Sequence, residues 1–185
     1  TNKGSHITKS VLIATGSTRR KLEVPGATEF ENKGVTYCAS CDGPLFADQN
    51  VAVIGGGNAA FESAAQLMSY CSHVTIIQRS GSFRADEVTI EKVLANPNVT
   101  GLLDTKLESI EGGTFVSGLT YSTKDGQKVQ LPVTGIFVEI GLMPTTDFAK
   151  DLVDRNEIGQ ITIDPWTQMT SVPGVWAAGD CTNVR

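Results

Sequence analysis

The feature that most constrains the fold is a glycine-rich turn between an apolar strand and a helix-forming run. Val51–Ile54 is wholly apolar and leads into Gly55-Gly-Gly-Asn-Ala-Ala60, and Ala59–Tyr70 has high helix propensity. His73–Ile77 follows as a second strand, so we expect a parallel strand–helix–strand unit with Asn58 as the helix N-cap. The pattern predicts an α/β protein with a Rossmann-like domain.

The glycine turn fits the pattern G-x-G-x-x-A, in which each small residue has a physical purpose. Gly55 permits the tight turn, Gly57 lets the backbone approach a pyrophosphate, and Ala60 allows close packing of helix on sheet. An anion would sit at the helix N-terminus, where free N–H groups and the helix dipole favour negative charge. The alternative is a turn that binds nothing. The candidate cofactor-binding residues are Gly55, Gly56, Gly57, Asn58 and Ala59.

The end of the second strand bears on which dinucleotide would bind. NAD sites usually place Asp or Glu there, about 20 residues beyond the glycines. This chain has Gln78 instead, followed by Arg79 and later Arg84. Guanidinium groups recognise a 2′-phosphate, which favours NADP(H) over NAD(H), with solvated surface arginines as the alternative.

A pair of cysteines lies just before the glycine turn, in Cys38-Ala-Ser-Cys41-Asp42-Gly43. Two intervening residues allow a small disulfide ring, and a helix start lowers a thiol pKa, so a reversible dithiol is expected, with Asp42 able to carry its proton. A purely structural pair and a zinc site are the alternatives, and zinc would need two more ligands. Cys71 and Cys181 are interpreted as free thiols without a role.

The remaining chain is expected to complete the sheet and to add a small antiparallel meander. The second helix is predicted over Asp86–Leu94, and Leu142–Thr146 is interpreted as a linker-like turn. Further strands are predicted over Val11–Ala14, Asn98–Leu103, Gly135–Gly141, Gly159–Asp164 and Gly174–Ala178, with the meander over Lys106–Ile110, Phe115–Ser122 and Lys128–Val133.

Charge and hydropathy exclude several classes of function. The 185 residues carry 15 Lys and Arg against 20 Asp and Glu, and the basic residues are scattered, which argues against nucleic acid as a partner. No run approaches 18 apolar residues and the N-terminus lacks the order of a signal peptide, so a cytoplasmic protein without membrane attachment is predicted. The abrupt ends suggest a piece of a longer protein.

Four motifs in order resemble the low-molecular-weight thioredoxin reductase family and its relative, the flavoprotein subunit of alkyl hydroperoxide reductase. They are Cys38-Ala-Ser-Cys41-Asp42-Gly43, Gly55-Gly-Gly-Asn-Ala-Ala60, Gln78-Arg-Ser-x-x-Phe-Arg-Ala85 and Ala177-Ala-Gly-Asp180. The resemblance implies an NAD(P)H-binding domain, with its parallel sheet and β-meander, inserted between partial segments of an FAD domain. Residues 1–28 and 145–185 would be the FAD-domain segments and 29–144 the nucleotide-binding domain.

The same resemblance implies an FAD-dependent NAD(P)H:disulfide oxidoreductase that acts on thioredoxin or on a glutaredoxin- or peroxiredoxin-like protein, and a homodimeric full-length protein. Cys41 would face the flavin, Cys38 would attack the partner, and Asp42 would act as acid and base. Further candidate residues for binding FAD are Thr15, Gly16, Gly179 and Asp180. Ile140 and Gly141 are also candidate cofactor-binding residues.

Two departures from the family pattern leave alternatives open. No G-x-G-x-x-G flavin fingerprint lies in this chain before Val11, which keeps a non-catalytic nucleotide-binding module as a second interpretation. The family's NADPH signature has adjacent arginines where this chain has Arg79-Ser80, and NADH-using relatives carry an acid in place of Gln78. An NADH-dependent reductase of a peroxiredoxin system therefore remains an alternative, as does a zinc-bearing interaction domain.

Overall fold

A computed structural model describes residues 4–184 of the chain, which form two compact units. The central unit runs from Lys21 to Ile140, and the second unit combines the chain up to Arg20 with the chain from Gly141 onward. The limits of the units lie earlier than the domain limits expected from the sequence, at residues 28 and 144. Along the chain, the central unit is therefore inserted between the two segments that together form the second unit.

Between residues 4 and 184 the secondary structure consists of short strands and three α-helices. In chain order the strands are β1 (Val11–Ile13), β2 (Ser17–Arg19), β3 (Val35–Thr36), β4 (Asn50–Ile54), β5 (His73–Ile77), β6 (Val99–Leu102), β7 (Lys106–Gly112), β8 (Val116–Ser122), β9 (Lys128–Leu131), β10 (Gly135–Val138), β11 (Leu142–Pro144) and β12 (Val175–Ala177). The helices are α1 (Ala39–Asp42), α2 (Asn58–Leu67) and α3 (Glu87–Leu94), with 3₁₀ helices at Gly43–Phe46 and Asp147–Ala149.

The central unit is a parallel sheet covered on both faces, as the sequence predicted. Its five strands lie in the order β3-β10-β4-β5-β6 and all pair in parallel. Val51 and Val53 on β4 pack towards α2, whereas Ala52 and Ile54 pack with the antiparallel sheet β7-β8-β9. Strands buried on both faces are continuous apolar runs, which explains why β4 was recognisable in the sequence.

The start and end of α2 differ from the prediction. Gly57 is the N-cap and Asn58 is the first helical residue, so the expected role of Asn58 as the N-cap was wrong. The helix ends at Leu67 rather than Tyr70, because the N–H groups of Ser69 and Tyr70 bond three residues back and tighten the last turn. The turn of the chain into β5 therefore begins earlier than helix propensity suggests.

The second unit contains two small sheets, of which one was not expected. β1 pairs in parallel with β12, and β2 pairs antiparallel with β11 in the segment interpreted as a turn. The strand predicted over Gly159–Asp164 was wrong, because only isolated bridges form there, at Ile161. Ile161 is nonetheless fully buried in the core of this unit with Ile13 and Ala177.

Candidate functional site

The glycine turn joins β4 to α2 in the central unit, and its glycines have different surroundings. Gly55 has φ +135°, and a Cβ at this position would lie 2.2 Å from the carbonyl oxygen of Glu139 on the neighbouring chain segment. A Cβ at Gly57 would meet no atom of the described residues within 4 Å. Gly55 thus permits the turn, and Gly57 leaves open space in front of the helix.

The N-terminus of α2 faces this open space. Among the described residues no side chain caps it, and the N–H of Ala60 donates to the carbonyl oxygen of Gly57, so the N–H groups of Asn58 and Ala59 are the ones that an anion could bind. Ala60 and Phe61 are fully buried and seat the helix on the sheet, as expected of the small residue at the end of the motif. The turn and the helix end together leave a space that could hold a phosphate group.

The side chain of Asn58 is used inside the protein. Its Oδ1 accepts a hydrogen bond of 2.9 Å from the N–H of Asp86, the N-cap of α3. The N–H of Arg84 donates to the carbonyl oxygen of Gly56 at 2.6 Å. These two bonds attach the loop after β5 to the glycine turn, which brings Arg84 to the same edge of the sheet as the predicted phosphate site.

Gln78 lies beneath the turn rather than in solvent. It is 8% exposed, and a Cβ on Gly56 would lie 2.7 Å from its Cδ. Its Oε1 accepts from the N–H of Arg79 and its Nε2 donates to the carbonyl oxygen of Ser82, at 3.1 and 3.2 Å. The Gln78 amide therefore holds the loop in place, a function that its sequence position did not indicate.

Arg79 and Arg84 have exposed side chains. Within the described part of the chain neither arginine forms an ion pair. A guanidinium group without a carboxylate partner can bind a phosphate without first losing an ion pair. The structure thus brings both arginines to the loop that borders the glycine turn.

The two cysteines of the CxxC motif form a disulfide. The sulfur atoms of Cys38 and Cys41 are 2.13 Å apart and their Cα atoms 5.3 Å apart. Cys38 is the N-cap of α1, and its Sγ accepts a hydrogen bond of 3.2 Å from the N–H of Cys41. Cys41 is exposed and Cys38 half-buried in this chain. An exposed disulfide at a helix start can be reduced and re-formed.

Asp42 ends α1 and contacts a residue that the sequence did not single out. The hydroxyl of Thr36, at the end of β3, donates a hydrogen bond to Asp42 Oδ2. No sequence signal indicated Thr36, because a two-residue strand has no periodicity and its spacing from Asp42 matches no known pattern. The motif therefore has a hydrogen-bonded carboxylate next to its second cysteine.

The four residues expected to bind flavin lie together in the second unit. Thr15-Gly16 follows β1 and Gly179-Asp180 follows β12, and the carboxyl ends of parallel strands meet at one edge of a sheet. Gly16 and Gly179 have φ +65° and +83°, and a Cβ on either would meet no described atom within 4 Å. Ser17 Oγ lies 3.3 Å from Asp180 Oδ2, a contact that joins the two segments.

The last two candidate residues have different surroundings. Ile140 is partly buried and packs against the core of the central unit. Gly141 begins the next segment of the second unit, with φ +100° and open space where a Cβ would be. Its carbonyl oxygen accepts a 3.0 Å bond from the N–H of Arg20.

The remaining cysteines lie in apolar surroundings. Cys71 is 5% exposed, and burial raises the pKa of its thiol to about 11, whereas Cys181 is fully buried. Within residues 4–184 no cluster of three or more His, Cys, Asp or Glu side chains could hold a metal ion. In the same range no helix is long and apolar enough to cross a membrane.

Solved structures of thioredoxin reductases are similar to this chain. Thioredoxin reductase from Lactococcus lactis matches 97% of this chain at 36% identity with a TM-score of 0.87, and 60% of that chain is covered. The T. acidophilum thioredoxin reductase matches 95% of the chain at 35% identity with a TM-score of 0.86, and 58% of that chain is covered. The predicted α/β fold is confirmed.

Curated relatives are similar in sequence and much longer. A protein named NADH dehydrogenase from Ferdinandcohnia aciditolerans is 45% identical over 176 residues, which cover 95% of this chain and 34% of the relative. An alkyl hydroperoxide reductase subunit of Escherichia coli is 42% identical over 178 residues, which cover 95% of this chain and 34% of the relative. The chain spans about a third of the length of these relatives.

The family model for pyridine nucleotide-disulphide oxidoreductases matches residues 2–185, almost the whole chain. The match takes in both the glycine turn and the disulfide. The predicted resemblance is thereby confirmed: the chain belongs to the pyridine nucleotide-disulphide oxidoreductase family.

Proposed function

We propose that the full-length protein is an FAD-dependent oxidoreductase that moves electrons from NAD(P)H to the Cys38–Cys41 disulfide and on to the disulfide of a partner protein. The observation that carries this proposal is the presence, in one compact unit, of a formed disulfide and of a glycine turn with open space at Gly57, before the N-terminus of a helix. Relatives named as thioredoxin reductases and as an alkyl hydroperoxide reductase subunit support it.

The residues present fit a pyridine nucleotide. Gly57 and the first turn of α2 would hold its pyrophosphate, and Gly55 and Gly56 would keep the turn tight. Arg79 and Arg84 would pair with a 2′-phosphate. Gln78 positions the loop that carries Arg79 and, through Gly56, the turn itself. We therefore assign NADPH as the preferred donor and NADH as the second.

The residues of the second unit fit a flavin. Gly16 and Gly179 leave open backbone at the carboxyl ends of β1 and β12, where a cofactor can approach closely. Thr15 and Asp180 provide a hydroxyl and a carboxylate at the same edge, and Ser17 steadies Asp180. When bound, FAD would accept a hydride from the nicotinamide and pass on two electrons.

The cysteines then exchange these electrons with a partner disulfide. We assign the attack on the partner to Cys38, the contact with the flavin to Cys41, and the proton transfers to Asp42. The partner is a thioredoxin or a related glutaredoxin- or peroxiredoxin-like protein. We further propose that the full-length protein is cytoplasmic and forms a homodimer; light scattering on that protein would test the dimer.

Turnover of the full-length protein tests the proposal. With NADPH and thioredoxin, the wild type should reduce the thioredoxin disulfide, and the C38S/C41S variant should lose this activity while still binding NADPH. Equal turnover by both proteins would contradict the proposed role of the disulfide. A colourless protein that binds NADPH without turnover would instead support a non-catalytic nucleotide-binding module.

A peroxiredoxin-system reductase is the second candidate. It is favoured by the 42% identity with the alkyl hydroperoxide reductase subunit of Escherichia coli and by the serine that follows Arg79. The same assay with NADH and a peroxiredoxin-like partner in place of thioredoxin separates the two functions. Faster turnover with the second donor and partner pair would identify this candidate as the function.

A further inference from the structure

We infer that Thr36 is a positioning residue for the proton transfers of the Cys38–Cys41 pair, acting through Asp42. The inference rests on the proposed function, in which Asp42 is the acid and base. It adds a residue that lies outside the CxxC motif and that the sequence did not single out. The contact on which it depends is the hydrogen bond from the Thr36 hydroxyl to Asp42 Oδ2.

Thr36 is fixed by the sheet, which makes it a rigid support. It lies on β3 opposite Phe137 of β10, in a parallel pairing that fixes its backbone. It is 8% exposed, and the branched Cβ of threonine restricts its χ1 angle. A hydroxyl held in this way restricts the positions that the carboxylate of Asp42 can adopt, as expected for a supporting group on a regular element.

The backbone next to the disulfide also approaches the Thr36 hydroxyl. The N–H of Cys38 lies 3.5 Å from Thr36 Oγ1, and the N–H of Asp42 donates to the carbonyl oxygen of Cys38 at 3.0 Å. The hydroxyl thus stands between the first cysteine of the motif and the carboxylate that follows the second. With Oδ2 held by Thr36, Oδ1 of Asp42 remains for proton transfer.

The exchange reaction requires two such transfers. The Cys38 thiol gives its proton to Asp42, its thiolate forms a bond to one sulfur of the partner disulfide, and the leaving partner thiolate takes that proton. The Cys41 thiol then gives its proton to Asp42, and its thiolate attacks Cys38 Sγ. The second partner thiolate leaves with this proton. Two electrons and two protons move to the partner, and the Cys38–Cys41 bond re-forms.

The test uses full-length protein reduced with dithiothreitol, freed of the reductant without air, and mixed with oxidised glutathione, whose alkyl thiols take up a proton on leaving; the protein thiols that remain are counted over time after acid quenching and alkylation. We expect T36V to slow the reaction about 3- to 10-fold, the range that one net hydrogen bond contributes. T36S keeps the hydroxyl and should react within about twofold of the wild type. The matched control is T105V, since Thr105 is a buried threonine whose hydroxyl donates to a backbone carbonyl, that of Leu103.

A second pair of variants separates this inference from the proposed function. In a D42N background, T36V should cause no further slowing, because both changes remove the same device. If D42N reacts slowly but T36V reacts as fast as the wild type, the inference about Thr36 is wrong and the proposed role of Asp42 stands. The inference is also wrong if T36V slows the reaction equally in the wild type and in D42N, or if T36S reacts as slowly as T36V. A D42N variant as fast as the wild type would contradict the proposed role of Asp42.

Discussion

At the level of single residues, two glycines of one turn serve different purposes. Gly55 is required by the fold, because its φ of +135° and the nearby Glu139 carbonyl leave no room for a side chain. Gly57 has an ordinary extended backbone, with φ −96°, and open space around it. The backbone therefore requires a glycine at position 55 but not at position 57, where the absence of a side chain leaves space for a ligand. The motif in the sequence predicted a separate purpose for each glycine, and the surroundings of Gly55 and Gly57 in the structure agree with that division.

Substitution of Gly57 by alanine is expected to impair binding and not folding. The new methyl group would occupy the space for the pyrophosphate, so we expect NADPH to bind at least about 10-fold more weakly. The loss of unfolding free energy should not exceed about 1 kcal/mol, the usual scale of an N-cap change. Fluorescence titration with NADPH and thermal unfolding check the two effects.

Gly113 and Gly55 provide the controls for this substitution. G113A also introduces a methyl group into open space in the same unit and should change neither property. G55A should unfold at a clearly lower temperature, since strain of about 1–3 kcal/mol and a steric clash with the Glu139 carbonyl add together. Wild-type affinity in G57A would show that the nucleotide does not approach this turn.

Arg79 is expected to select between the two donors. R79Q removes one charged hydrogen-bond partner of a 2′-phosphate, which contributes about 1.5–3 kcal/mol. NADPH affinity should therefore fall about 10-fold or more, with little change for NADH. K33Q, which removes an exposed charge elsewhere in the same unit, serves as the control. Parallel loss of affinity for both nucleotides would contradict a contact with the 2′-phosphate.

The four cysteines are expected to differ sharply in reactivity. Before reduction, a thiol reagent at pH 8 should find almost no reactive group, because Cys38 and Cys41 are joined and Cys71 and Cys181 are buried. The pKa of about 11 keeps the Cys71 thiol protonated at this pH and so unreactive. Reduction of the folded protein should make two thiols reactive, and reduction in denaturant should make all four reactive. Rapid labelling of Cys71 in the folded, oxidised protein would contradict its burial.

At the level of secondary-structure elements, the sequence was most predictive where one local motif requires particular elements on either side of it. Strands β4 and β5 and the helix between them follow from one motif, because the glycine turn requires these neighbours. The meander was recognisable from turn signals such as Asp125-Gly126. The pairing of β2 with β11 was not, because three-residue strands show no alternation and Pro144 favours a turn.

Ring packing between α2 and the loop after β5 leads to a prediction at this scale. Phe61 of α2 is fully buried and meets Phe83 edge-to-face, with centroids 4.9 Å apart. F61A should cost about 3–5 kcal/mol of unfolding free energy, as expected for a large cavity. F83A should cost less, since Phe83 is only partly buried, but should also weaken NADPH binding by loosening the loop of Arg84. Denaturant unfolding and nucleotide titration measure both variants, and wild-type affinity in F83A would contradict the coupling.

At the scale of the whole molecule, we propose separate chemistry for the two units of the chain. The central unit contains the disulfide and the glycine turn to which we assign the nucleotide, and the second unit contains the loops to which we assign the flavin. The inserted order along the chain was implied by the family resemblance, and it accounts for the strands that lead into Thr15-Gly16 and into Gly179-Asp180. The identity of the partner was not predictable, because it depends on a docking surface rather than on a local pattern.

The most direct test of the central claim is an anaerobic titration of the full-length protein with NADPH, with free thiols counted afterwards. We predict that the flavin absorption is bleached and that two thiols appear, which mass spectrometry after alkylation assigns to Cys38 and Cys41. In the C38S/C41S variant the flavin should bleach without new thiols. Bleaching of the wild-type flavin that leaves the Cys38–Cys41 disulfide intact would contradict the proposed path of electrons.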